Sequence, residues 1–136
     1  MQKLIFGLLC VIAIPKAFSC SFPYESYAHK INSAEAIFIA TVTEGKIAKN
    51  SNGDDYVEVK MKVHNVIKGK MPDTTIIRTS YDDCGIEFSL ARTYIIFKPE
   101  NINYVYAGSG TSVIHRLYED AVSKEILEIL NRKPVH

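Results

Sequence analysis

Chemistry in this 136-residue chain concentrates at Cys20, which follows a stretch that reads as an export leader. The basic start Met1-Gln2-Lys3 runs into the apolar Leu4-Ile5-Phe6-Gly7-Leu8-Leu9-Cys10-Val11-Ile12-Ala13-Ile14, then Pro15, then Ala17-Phe18-Ser19. Small residues at Ala17 and Ser19 suit signal-peptidase cleavage, so residues 1–19 are expected to be removed. The apolar run is shorter than the roughly 20 residues a bilayer span needs. Cleavage after Ser19 would put an α-amine and a cysteine side chain on one residue. A cysteine directly after a leader is also where bacterial lipoproteins are acylated. That processing prefers a leucine-like residue where Ala17 stands, which argues for simple secretion over a lipid anchor.

Of the three cysteines, Cys10 leaves with the leader, and Cys20 and Cys84 remain. In an oxidising compartment the two are expected to pair. The loop they close, about 65 residues, would contribute on the order of 4 kcal/mol by chain entropy. No Cys/His spacing suits a structural zinc site.

The other reactive residue types have plainer readings. His29, His64, His115 and His136 are scattered, with no serine or cysteine beside them in a triad arrangement. Asp54-Asp55 and Asp82-Asp83 lack the carboxylate spacing of a calcium loop and read as solvated turns. Tyr24, Tyr27, Tyr81, Tyr104 and Tyr106 could form a stacking surface, although half-buried packing is the simpler expectation for most of them. No acid/base pair, phosphate loop or cofactor motif is present in the sequence, which argues for a non-enzyme without a cofactor.

The chain's 16 basic and 15 acidic residues become 14 and 15 once Lys3 and Lys16 leave with the leader. A net charge near −1 and an exported location both argue against nucleic acid as partner. The remaining residues, 20–136, suffice for one domain with its own core.

The elements that would position Cys20 are mostly strands. Over 56–67, Val57, Val59, Met61 and Val63 alternate with Glu58, Lys60, Lys62 and His64, the period of a strand with one wet face. The β-branched run Ala36-Ile37-Phe38-Ile39-Ala40-Thr41-Val42-Thr43 precedes it, and Asn52-Gly53 in the polar connection predicts a hairpin. Further strands are expected at 74–79, 92–97 and 103–106. Five such strands can close a small Greek-key barrel. A short helix is expected at 27–34. A second, at 120–131, has an apolar stripe of Val122, Ile126, Ile129 and Leu130, an acidic start, a basic end and Pro134 beyond it.

The order of these features resembles the tissue inhibitors of metalloproteinases and the wider netrin-like group. The resemblance rests on Cys20-Ser21-Phe22-Pro23, Ser33-Ala34-Glu35-Ala36-Ile37-Phe38-Ile39-Ala40 and Val66-Ile67-Lys68-Gly69. It continues through Thr79-Ser80-Tyr81-Asp82-Asp83-Cys84-Gly85, Arg92-Thr93-Tyr94-Ile95-Ile96-Phe97 and Gly108-Ser109-Gly110-Thr111, and so covers most of 20–136. It implies a mainly β fold: a five-stranded Greek-key OB-fold barrel with a short N-terminal and a C-terminal helix.

The resemblance also implies a function. Cys20, held by its disulfide to Cys84, would offer its backbone amine and carbonyl to the zinc of a target metalloprotease. Ser21 would point beside that zinc, and Phe22 and Pro23 would complete the target-binding segment. The pattern is incomplete, because Phe22 stands where the family has a second cysteine, and that cysteine's partner, due near Ala107 or Gly108, is missing too. The pair reads as one disulfide deleted as a unit, leaving the N-terminal segment less firmly pinned. The alternative function is a cell-envelope module, lipid-anchored if Cys20 is acylated, that binds a protein or glycan. Contact with a membrane is expected only in that lipidated form.

Overall fold

A computed structural model describes residues 20–132; residues 1–19, where the leader is expected, and 133–136, which include Lys133, Pro134 and His136, lie outside the described residues. Helix α1 (Tyr27–Ser33) leads into strands β1 (Ala36–Lys49), β2 (Asp55–Lys68), β3 (Thr74–Ser80), β4 (Thr93–Lys98), β5 (Tyr104–Val105) and β6 (Ser112–Val113). A single 3-10 turn, Arg116–Tyr118, then precedes helix α2 (Glu119–Asn131). The strands form one sheet in the order β5-β3-β2-β1-β4-β6, curled into a half-barrel. Only the β3–β5 pairing is parallel. Register shifts at three points along β1 and β2 mark bulges, which bend a strand and increase its twist.

Period-two alternation decides where each side chain goes. In β1, Ala36, Phe38, Ala40 and Val42 face the inside of the curl with Val59, Met61 and Ile77. Ile37 faces the other way, into a second cluster with Ile95 and Phe97 of β4, Ile31 of α1 and Ile126 of α2. Both faces of this segment are therefore buried, so its sequence is a continuous apolar run rather than an alternation. The long strand β2 has only its inner face covered along most of its length and keeps the alternation.

Helix α1 is short and depends on tertiary support. The Ser26 side chain accepts a hydrogen bond from the His29 backbone N–H at its start. At its end Lys68 Nζ, reaching over from β2, donates to the carbonyls of Ile31 (3.0 Å) and Asn32 (2.8 Å).

The sequence reading gave five strands, and the sheet has six. Strand β6 pairs only Val113 with Tyr94 and Ser112 with Ile95, too short to carry a periodicity. Strand β1 also runs six residues past the expected stop at Thr43. Its partner β2 supplies the pairing from Glu44↔Lys60 to Lys49↔Asp55, which Glu44-Gly45-Lys46 alone would not signal. Strand β4 extends through Lys98, whose ammonium is paired with the Glu35 carboxylate.

Candidate functional site

Three segments meet around the expected disulfide. Cys20 and Cys84 are bonded, with Cα atoms 5.3 Å apart across 64 residues of sequence. A disulfide of this kind belongs to an oxidising compartment. Among the described residues no helix is long and apolar enough to cross a membrane.

Cys84 is placed by a tight turn after β3. Asp82 Oδ1 accepts from the Cys84 N–H (2.9 Å), and the Asp82 carbonyl accepts from the Gly85 N–H (3.0 Å). Only glycine fits at 85, since a Cβ there would lie 1.9 Å from the Ser80 carbonyl oxygen. The Ser80 hydroxyl first, and the Cys84 N–H second, hold the Asp82 carboxyl below the usual aspartate range. The third segment joins through the Cys84 carbonyl, which accepts from the Ala107 N–H (3.0 Å).

Phe22 ties the extended 20–26 segment down at a second point. Its ring lies 5.0 Å from that of Tyr106, tilted by 30°. Its inner edge rests on Gly108 so closely that a Cβ there would come within 2.7 Å of Phe22 Cγ. The two positions that sequence reading marked as ends of a missing disulfide are thus in direct contact, and an aromatic ring on a glycine occupies the space. The N-terminal segment, expected to be less firmly pinned without that disulfide, makes contact at both Cys20 and Phe22.

Between and beyond these anchors, Ser21 and Pro23 are exposed, and Tyr24 is 97% exposed. Tyr81 stands out from the neighbouring turn, 57% exposed. The result is a ridge: Ser21, Pro23 and Tyr24 project from one strip and Tyr81 from the adjacent one. Among the described residues no hydrogen bond occupies the Cys20 carbonyl.

The sulfurs of Cys20 and Cys84 and the Asp82 carboxylate lie within 4.8 Å of one another. The sulfurs are joined to each other and are not thiolates, so this cluster is not a metal site in the oxidised protein.

Several of the remaining polar candidates have structural partners. Asp54 accepts from Asn50 Nδ2 (3.1 Å), and Asp55 pairs with Lys49 (2.7 Å) in the hairpin turn. His29 lies 3.9 Å from Glu25, and His115 Nδ1 accepts from the Leu117 N–H at the start of the 3-10 turn. His64 Nε2 does meet a hydroxyl, Thr41 Oγ1 at 2.7 Å, and Thr41 Oγ1 in turn lies 2.8 Å from Thr93 Oγ1. The threonines come from adjacent strands, and His64 is on the exposed face, which makes this a cross-strand network rather than a buried nucleophile with its base. Tyr104 and Tyr106 are half-buried, but Tyr24, Tyr27 and Tyr81 are exposed, so the expectation that most of the five would be half-buried packing residues is corrected.

The roles of Tyr106 and Gly108 as the floor beneath Phe22 were missed from sequence. A glycine facing a large ring across 86 positions leaves no local pattern. No protein-family model matches the chain, and no curated protein matches it either.

Proposed function

We propose that the protein is an exported, non-enzymatic binding protein that inhibits a zinc metalloprotease through the ridge at 20–24, on a netrin-like OB barrel. The strand order supports that barrel, since β4-β1-β2-β3 is the order of a Greek key, with β5 added in parallel beside β3. The observation that carries the functional reading is the double anchoring of the ridge, by the Cys20–Cys84 bond and by Phe22 seated on Gly108.

The chemistry follows from what the anchors leave free. The Cys20 sulfur is committed to the disulfide, so after cleavage its ligands are the α-amine and the carbonyl. An α-amine with a pKa near 8 has a sizeable neutral fraction at physiological pH. Amine and carbonyl together form a chelate that displaces the water a zinc protease activates. The zinc belongs to the target; this chain brings only the two backbone atoms. A ridge already fixed to the barrel loses less conformational freedom on docking than a free peptide. The exposed Ser21 is next to the chelating atoms and would enter the cleft beside the zinc.

The test is a metalloprotease panel assayed with two forms of the purified protein, one beginning at Cys20 and one with a single alanine in front of it. Intact mass must first show a free amine and the Cys20–Cys84 bond. Inhibition by the first form and its loss in the second is the expected outcome. Equal inhibition by both, or a lipid adduct on Cys20 of the natural product, would remove the chelation mechanism.

A further inference from the structure

The turn that carries Cys84 also gathers metal ligands. Among the described residues, one group of cysteine, histidine or acidic side chains is compact enough to share an ion: the sulfurs of Cys20 and Cys84 and a carboxylate oxygen of Asp82, all within 4.8 Å of one another. Donors on one zinc stand about 2.0–2.3 Å from it, so any two of them are less than about 4.6 Å apart. The three groups are therefore close to bonding positions already. Contacts that involve no sulfur hold them there. Asp82 Oδ1 accepts from the Cys84 N–H at 2.9 Å, the kind of outer hydrogen bond that orients a metal-binding carboxylate. The Cys84 carbonyl accepts from the Ala107 N–H at 3.0 Å, which ties Cys84 to the segment after β5. Cys20 is two residues from Phe22, whose ring is seated on Tyr106 and Gly108.

The bond between the sulfurs is what keeps an ion out. Neither cysteine is fully buried and Asp82 is exposed, so a small dithiol can reach that bond. In the exchange the Cys20–Cys84 S–S bond breaks, a new S–S bond closes within the reductant, and the reductant's two protons pass to the protein sulfurs. Two thiols and a carboxylate then face one point. Sulfur donors select a zinc-like ion over magnesium or calcium, and zinc also accepts a carboxylate. We propose that the dithiol-reduced protein binds one divalent zinc-class ion through Cys20 Sγ, Cys84 Sγ and the Asp82 carboxylate, with water in the fourth position, and that disulfide formation expels it. Binding releases the two thiol protons. Reoxidation by a small disulfide joins Cys20 to Cys84 again, leaves the oxidant as two thiolates and frees the ion. The inference does not rest on protease inhibition, because its ligands are side chains rather than the amine and carbonyl of Cys20.

The test uses protein secreted from the full chain, reduced with a dithiol, freed of reductant under exclusion of air and titrated with Co²⁺ and then Zn²⁺. One Co²⁺ per chain is expected, with thiolate-to-cobalt charge-transfer absorption and the visible bands of a four-coordinate ion, and Zn²⁺ should displace it. The oxidised protein should show neither signal. Asp82→Asn keeps an acceptor for the Cys84 N–H, yet should weaken Zn²⁺ binding at least about tenfold, the least that loss of even an outer partner costs. Asp83→Asn, next to it and outside the cluster, should bind as the parent does. Oxidised glutathione added to the zinc form should release the ion and restore the Cys20–Cys84 bond. If Asp82→Asn fails to fold, the charge-transfer intensity of the parent, which counts the thiolates on the ion, decides alone. The proposal is overturned if the reduced protein gives no charge-transfer band, if the ion bridges two chains, if the oxidised protein binds equally well, or if Asp82→Asn matches the parent.

Discussion

Replacing Phe22 and Gly108 together by cysteine tests the geometry of the ridge directly. Phe22 is 37% exposed, so roughly two-thirds of its ~200 Å² of side-chain surface is buried, worth about 3 kcal/mol by transfer arithmetic. Burial already present in the unfolded chain lowers that to about 2 kcal/mol. The ring contact with Tyr106 raises it again by roughly 1 kcal/mol. Phe22→Ala should therefore cost about 3 kcal/mol.

In Phe22→Cys/Gly108→Cys that loss is opposed by a new cross-link. Measured through the existing Cys20–Cys84 bond, the new loop holds about 27 residues, which corresponds to about 3.5 kcal/mol of chain entropy. A Cβ on residue 108 lies 2.9 Å from Phe22 Cβ, whereas a disulfide needs about 3.5–4.5 Å. The exposed neighbours Ser21 and Pro23 leave room for the strip to lift by that difference. The oxidised double variant should then unfold within about 1 kcal/mol of the parent, since the gain and the loss nearly cancel. Urea unfolding with a non-reducing peptide map measures both quantities. Failure of positions 22 and 108 to cross-link in the monomer, or a Phe22→Ala cost below about 0.5 kcal/mol, would refute the packing on which the ridge depends.

Two further outcomes follow from the same contacts. Gly85→Ala places a methyl carbon 1.9 Å from the Ser80 carbonyl oxygen, so the turn carrying Cys84 cannot keep its shape; a loss above about 3 kcal/mol and a fall in correctly paired disulfide are expected, and parental values would contradict it. On the acid side, Lys98 and the Asn101 N–H depress Glu35, Lys46 and Arg78 depress Glu58, and the Ser80 hydroxyl and Cys84 N–H depress Asp82. Folded pKa values below the unfolded ones mean that this stabilisation is complete above about pH 4.5 and is lost as pH falls through the folded values. Urea midpoints should hold from pH 7 to about 4.5 and drop below it, with a shallower drop in Glu58→Gln; midpoints flat to pH 3 would count against these pairings.

How much could be read in advance depends on how local the cause is. The alternation Val57, Val59, Met61, Val63 places β2 within a residue at either end, because one face of that strand is wet and period two is visible. The acidic first turn and apolar stripe place α2 equally well. Strand β1 beyond Thr43 and the two residues of β6 were not legible, since each exists through a partner strand and has no periodicity of its own. The site divides in the same way. With Cys10 assigned to the expected leader, Cys20 and Cys84 have one pairing, and it is the one observed. Phe22 on Gly108 is a contact between distant segments, and its signal lies in the tertiary fold rather than in any window of sequence.

A cross-link and a ring seated on a glycine respond differently to their surroundings. A disulfide constrains the unfolded chain and is released by reductant, whereas the Phe22 contact stabilises the folded form and is indifferent to redox state. With Cys20–Cys84 intact, the two anchors lie two residues apart and hold Ser21 between them. When that bond is reduced, Phe22 still seats the strip against Tyr106 and Gly108, but Cys20 itself is freed from Cys84. Any activity that requires the backbone of Cys20 in a fixed place must therefore depend on the Cys20–Cys84 disulfide. Under the proposed function, reducing Cys20–Cys84 should therefore abolish protease inhibition, and inhibition that survives reduction would count against the chelate.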